Sequence, residues 1–174
     1  DIEKGRHLNN IIELPEDESV IMILPVNFED HSLFLTMLTT NGNVKRTSIR
    51  KYTGEGRKAG AFRKSGVIGI SLREDDEIIY ADVCQDGDEI IMVNNKNLII
   101  RFPITEDQVR PLSRTSMGVR GMKLDDAKVI GGAVVKAGEK GLLSCVTENG
   151  MIKITELDQY RVQNRGGKGV RAFK

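Results

Sequence analysis

In this 174-residue chain the residues able to do chemistry are few among the nucleophiles and many among the cations. His7 and His31 stand apart with no nucleophile pattern beside either. Cys84 and Cys145 lack the close spacing of a zinc or redox pair and read as small core hydrophobes. The cations gather beside glycines. Arg57-Lys58 and Arg63-Lys64 flank Ala59-Gly60-Ala61, and Arg110, Arg114 and Arg120 surround a second such stretch. A third reads Gln163-Asn164-Arg165-Gly166-Gly167-Lys168-Gly169. Glycines let backbone N–H groups approach an anion closely, while Arg and Lys supply attraction and direct contacts, so the implied chemistry is phosphate binding. The segment is not a nucleotide-binding P-loop, because Gly169 follows Lys168 where a Ser or Thr would be needed. Contacts of this kind hold a polyanion without reading its sequence.

A net charge of +1 is uninformative by itself, but its distribution is not. Residues 1–40 sum to −6, 41–72 to +7, 73–100 to −6, 101–124 to +3, 125–150 to −1 and 151–174 to +4. The acids gather at Glu16-Asp17-Glu18, Glu74-Asp75-Asp76-Glu77 and Asp125-Asp126. These clusters lack the Gly and distal Glu of an EF-hand, so they read as solvated turns that keep an anion off the opposite rim, and no metal or other cofactor is expected.

The elements that must carry the cations repeat. Asn41-Gly42 follows the apolar run Leu33–Leu38 and predicts a hairpin with a type I′ turn. Asn97 and Gly150 take the place of Gly42 at intervals of 55 and 53 residues, and Asn is the non-glycine residue best suited to stand there. The strand leaving each turn carries a cation: Lys45 and Arg46, then Arg101, then Lys153. Arg50 and Lys51 follow the first strand, and Tyr52 and Tyr160 occupy matching places that suggest packing between units. Gly-Val pairs at 66, 118 and 169 are 52 and 51 apart. Each unit reads as an apolar strand, a tight hairpin, a basic strand, a glycine-rich basic loop, a Gly-Val strand, an acidic turn and a closing apolar strand. Helix signals are poor.

Repeats of about 50 residues made of four strands predict an all-β, propeller-like array of blades. The chain is read as one repeat domain, 1–174, with approximate units at 1–24 (partial), 25–80, 81–131 and 132–174. No apolar run approaches the roughly 20 residues of a membrane helix, and the charged start does not resemble a secretory signal, so a soluble cytoplasmic protein is expected.

From Thr36 onward the order of motifs resembles the C-terminal domain of bacterial DNA gyrase A. The motifs are Asn41-Gly42-Asn43-Val44-Lys45-Arg46, Gly66-Val67-Ile68-Gly69, Arg101-Phe102, Gly118-Val119-Arg120-Gly121 and the segment 163–169. That last segment matches the family's box, Gln-basic-Arg-Gly-Gly-basic-Gly, except at Asn164. The resemblance implies a six-bladed β-pinwheel, of which this chain covers about three blades. It further implies a non-catalytic DNA-binding and DNA-wrapping module of a type II topoisomerase, whose strand-breaking tyrosine lies in another domain. Expected partners are double-stranded DNA, the remainder of gyrase A, and gyrase B. The DNA-contacting set is Lys45, Arg46, Arg50, Lys51, Arg57, Lys58, Arg63 and Lys64 from the first unit. Arg101, Arg110, Arg114, Arg120 and Lys123 come from the second, and Lys153, Arg161, Arg165, Lys168 and Arg171 from the third. The corresponding domain of topoisomerase IV and a protein-binding β-propeller are the alternatives.

Overall fold

The computed structural model describes Gly5, residues 12–53 and residues 65–172. Its regular structure is almost entirely β. Strands β1 (Phe34–Thr39) and β2 (Asn43–Ser48) form the first hairpin, followed by a one-turn helix, Arg50–Thr53. Next come β3 (Ile78–Cys84), β4 (Glu89–Asn94), β5 (Leu98–Pro103), β6 (Val119–Arg120) and β7 (Val129–Val135). The chain continues with β8 (Leu142–Val146), β9 (Ile152–Glu156), a 3-10 turn at Leu157–Gln159 and β10 (Val170–Arg171).

Three antiparallel sheets result. The first sheet has the order β3-β1-β2-β6, the second the order β10-β5-β4-β7, and the third is the hairpin β8-β9 alone. Hairpins β1-β2 and β4-β5 each gain one flanking strand from about 30 residues later and a second, two-residue strand from about 70 residues later. Each four-stranded sheet therefore draws on two successive sequence units, and the units interlock.

The turns differ from expectation in type, and the reason is local. Asn97 has φ 59°, Gly42 82° and Gly150 80°, but Asn41 is not in the left-handed region. A type I′ turn needs positive φ at both central residues, whereas here Gly42 N–H donates to Thr39 O at 2.9 Å and only the third loop position turns left-handed. That is a type I turn closed by a bulge. Asn97 N–H to Asn94 O and Gly150 N–H to Thr147 O, both 3.0 Å, repeat it.

The first and second sheets stack through one apolar core, with Leu38, Val44, Ile90, Met92, Ile100 and Phe102 all within 1% of full burial. Each such side chain contributes about 1.5–3 kcal/mol relative to exposure. Cys84 lies in this core, where burial pushes its thiol up to about 12. A second cluster, Ile91, Ile99, Val135, Leu157, Tyr160 and Ala172, joins the second sheet to the inner face of hairpin β8-β9 through Leu143 and Cys145. Among the described residues no helix is long and apolar enough to cross a membrane.

Candidate nucleic-acid interface

The outer border of each four-stranded sheet is built from its short last strand and the loop leading into it. In the first sheet, Leu112 N–H donates to Arg46 O (2.9 Å) at the far end of β2, and Asn43 pairs with Arg120 near the turn. In the second, Gln163 N–H donates to Arg101 O (2.9 Å), and Leu98 pairs with Arg171. The loop 110–120 therefore runs along the edge of β2, and the loop 161–171 runs along the edge of β5. Gly121 N–H to Gly42 O and Ala172 N–H to Asn97 O, both 2.8 Å, fix the two loops in the same frame.

Arg110 and Arg161 begin these loops and Arg120 and Arg171 end them, each pair 51 residues apart. All four side chains are exposed, as are Arg50 and Lys123, and none of the six makes a salt bridge among the described residues. Lys51 is also exposed and Lys153 is half-buried. Arg57, Lys58, Arg63 and Lys64 lie outside the described residues, as does His7.

Lys45, Arg46 and Arg101 require correction: the structure places them inside. Arg46 is 1% exposed; its guanidinium donates to Val109 O, pairs with Asp86 at 2.8 Å and lies 4.8 Å from the centre of the Phe34 ring. Arg101 is 7% exposed, bonds to Glu89 at 2.6 Å and donates to Leu157 O (2.8 Å) and Tyr160 O (3.2 Å). Both arginines reach from one hairpin to the backbone that follows the next. Lys45 Nζ donates to Thr47 Oγ1, Gly69 O and Arg114 O at 2.7, 2.7 and 3.0 Å, and burial lowers its ammonium to about 8. A duplex could reach none of the three without dismantling the sheets, so they leave the contact set.

The box segment is also tied to protein groups, but it stays half-buried at Arg165 and exposed at Lys168. Arg165 donates to Arg120 O at 3.0 Å and to Gln108 O, while its own N–H bonds to Gln108 Oε1 at 2.9 Å. Arg114 does the same one unit earlier, donating to Ile68 O at 2.6 Å. Asn164, in place of a basic residue, accepts from Gln108 Nε2 at 3.4 Å. Gly169 has φ 84°, and a Cβ there would lie 2.3 Å from Ile99 O, so only glycine admits β10 to the edge of β5. Lys168 pairs with Asp125 at 2.6 Å, an exposed bridge that raises the ammonium and lowers the carboxyl. Gln108 belongs to no motif of the sequence; its 51-residue spacing from Gln159 is the one signal that points to it.

The acidic turns are not segregated from the cations. Asp75, Asp126 and Asp125 pair with Lys128, Lys96 and Lys168 beside the hairpin turns. Asp76, 6% exposed, accepts from Thr40 Oγ1, Asn41 N–H and Glu77 N–H. The hydroxyls of Tyr52 and Tyr160 donate to Gly69 O and Ala172 O at 3.3 Å, each within its own sequence unit rather than between units; because Ala172 follows β10, the Tyr160 bond still joins the second sheet to the segment after hairpin β8-β9. Those two carbonyls occupy the same repeat position, three residues past the Gly of a Gly-Val pair.

Comparison with known proteins matches this array over nearly the whole chain. The family model for the DNA gyrase C-terminal domain, beta-propeller, matches residues 34–59, 63–85, 88–136 and 142–174. The chain belongs to that family. It is 33% identical over 177 residues to the DNA gyrase A protein of Streptomyces coelicolor, covering 98% of this chain and 20% of that protein. With the DNA gyrase A protein of Salmonella typhimurium it shares 33% over 172 residues, covering 98% and 18%. The chain thus spans about a fifth of the length of the curated relatives it matches. Its fold superposes on the solved C-terminal domain of DNA topoisomerase IV with a TM-score of 0.79 at 24% identity, covering 96% of this chain and 49% of that one. On the solved DNA gyrase A C-terminal domain the TM-score is 0.79 at 24% identity, covering 98% and 55%. The all-β blades expected from the repeat are therefore those of this domain family.

Proposed function

We propose that this domain binds duplex DNA along the outer border of its sheets and bends it there, as the non-catalytic wrapping module of a type II topoisomerase, DNA gyrase. The observation that carries the reading is the recurrence of exposed arginines outside any described salt bridge, Arg110 with Arg161 and Arg120 with Arg171, in one frame on successive sheets. Cations held at a constant repeat along a curved border can offset the bending cost of a 20–30 bp site, of order 1–6 kcal/mol. Since the loops present backbone and cations rather than groups fitted to base edges, binding is independent of sequence. The working complex would contain the remainder of gyrase A together with gyrase B in the bacterial cytoplasm, associated with the nucleoid, where wrapping directs strand passage and supercoiling.

The test is topological. Nicked circular DNA is ligated with and without the 174-residue chain and the linking number of the product is measured. A shift that disappears in an Arg110→Ala, Arg161→Ala, Arg120→Ala, Arg171→Ala variant supports wrapping along this border, whereas binding without any shift reduces the module to a DNA coat.

A second reading, the equivalent domain of topoisomerase IV, is favoured by one observation. Arg165 and Lys168 of the box are engaged with protein groups here, which weakens the expectation of a strong wrap. A linking-number shift well below that given by a gyrase domain of equal length would support it.

A further inference from the structure

Arg73 belongs to no basic motif: it opens the acidic turn 73–76 in a stretch, 73–100, whose net charge is −6. The fold nevertheless brings it to the border cation Arg120. Both line a cavity of ≈ 580 Å³ at the hairpin-turn end of the first sheet, beside Asn41 and Asn43 and well inside the array. The backbone carrying each arginine is fixed. Asp76 N–H donates to Arg73 O at 3.1 Å, and the buried Asp76 carboxylate accepts from Thr40 Oγ1 and Asn41 N–H, which ties the turn to the first hairpin. Arg120 pairs with Asn43 at the edge of β2, and its carbonyl accepts from Arg165 at 3.0 Å. Both side chains are exposed, and neither guanidinium has a hydrogen bond or salt bridge among the described residues.

Charge accounting decides what the cavity would hold. Its walls carry the carboxylates Asp75, Asp125 and Asp126 and the cations Arg73, Arg120 and Lys128. By number alone these cancel. Each carboxylate, however, is already matched by a lysine: Asp75 by Lys128 at 3.9 Å, Asp125 by Lys168 at 2.6 Å, and Asp126 by Lys96. Lys168 and Lys96 reach in from outside the walls, and their hydrogen bonds hold both carboxyls below the usual carboxylate range. The two arginines are thus left as the uncompensated charge. The arrangement is peculiar to this junction. Ala127 N–H to Leu124 O, 2.9 Å, closes the next acidic turn as Asp76 N–H to Arg73 O closes this one, so Leu124 stands there in the place of Arg73.

We propose that Arg73 and Arg120 together seat one phosphate of the duplex, drawing the DNA backbone toward the hairpin-turn end of the first sheet. This rests on the DNA-binding reading above and adds to it a contact that lies outside every basic motif. A guanidinium offers a planar fork of N–H donors matched to phosphate oxygens. Two of them uncommitted on one cavity can hold a phosphate without breaking any of the lysine–aspartate pairs. Because their backbones are fixed before DNA arrives, only the two side chains need to be ordered on binding.

Duplex binding by the 174-residue chain is measured by fluorescence anisotropy between about 50 and about 200 mM salt, where each phosphate contact contributes about 0.9 to the slope of log K against log salt. Arg73→Ala should weaken binding about tenfold at the lower salt, the loss expected for one charge-assisted hydrogen-bonding group. Its slope should stay close to wild type, since Arg120 still holds the phosphate. The Arg73→Ala, Arg120→Ala double variant should lose about 0.9 in slope in all, one phosphate for two arginines. Arg73→Lys keeps the charge without the fork and should recover part of the affinity. The Arg73 side chain is exposed and bonds to no described residue, so folding is retained, checked by circular dichroism. Lys140→Ala controls for net charge: Lys140 is also exposed but lies past β7, at the opposite end of the strands, and its loss should cost less than about twofold. Unchanged affinity in Arg73→Ala, or an equal loss in Lys140→Ala, would remove Arg73 from the interface. A slope loss of about 1.8 in the double variant would assign the arginines to two phosphates and end the shared seat. A wild type that binds no duplex would instead overturn the wrapping reading, and the seat would fall with it.

Discussion

Arg46 and Arg110 carry the same charge and do opposite work. Replacing Arg46 by Ala leaves Val109 O and the Phe34 ring without their partner inside the protein, while Asp86 and Glu106 stay solvated, and should cost about 1–3 kcal/mol in urea unfolding, with Arg46→Met nearer wild type. Arg110→Ala should change stability by less than about 0.5 kcal/mol, yet lower the salt slope of DNA binding by about 1. Lys45 supplies a pH test. Its ammonium is lowered from 10.5 to about 8, so between those values the unfolded chain binds more protons than the folded one, and stability rises with pH. Relative to a Lys45→Met variant, wild type should gain of order 1 kcal/mol between pH 8 and 9.5, after allowance for solvent screening. A flat or falling difference would contradict a buried ammonium. None of this is legible in composition. Lys45 and Arg46 are neighbours on a strand and point to opposite faces, so both are inside only because the first sheet is covered on both sides, which a single unit's sequence does not reveal.

At the scale of the strand, the hairpins and their spacing are readable because turn chemistry is local. Asn97 is expected in the glycine position and has φ 59° there. The two-residue strands β6 and β10 are less readable, since their partners lie about 75 residues earlier and no short-range pattern points to them. Their glycines give the element a measurable signature. Gly169→Ala meets both a left-handed φ and the Ile99 carbonyl, and should destabilise the second sheet by about 2 kcal/mol or more. Gly87→Ala has φ 89° with open space around the added methyl, and should cost only the backbone term, about 1–2 kcal/mol. Thermal unfolding of the two variants side by side checks the difference, and equal losses would mean that the close approach of β10 to β5 is not rigid.

For the whole molecule, the alternation of charge along the chain is a poor guide to which cations are exposed. Cations from the same basic stretches divide between the interior, ion pairs with turn acids, and the exposed border. Lys168 and Arg110 illustrate the last two: the sequence sets both in a basic loop, and only the fold brings Asp125 to one of them. Six exposed cations without a salt-bridge partner among the described residues, Arg50, Arg110, Arg120, Lys123, Arg161 and Arg171, set the electrostatic scale. If all six neutralise phosphates, log K should fall with log salt with a slope of about −5. Fluorescence anisotropy with a labelled duplex measures it, and a slope near −1 would remove the border as a binding surface. Duplexes of different sequence and equal length should bind alike.

The interlocking of units also governs how the chain is made. Ser48 ends the first hairpin, but the strand that closes its edge does not exist until Arg120 has left the ribosome. At roughly 5–20 residues per second, translation of the intervening stretch takes about 4–14 seconds. Throughout that time the nascent sheet holds an open border facing other newly made polypeptides.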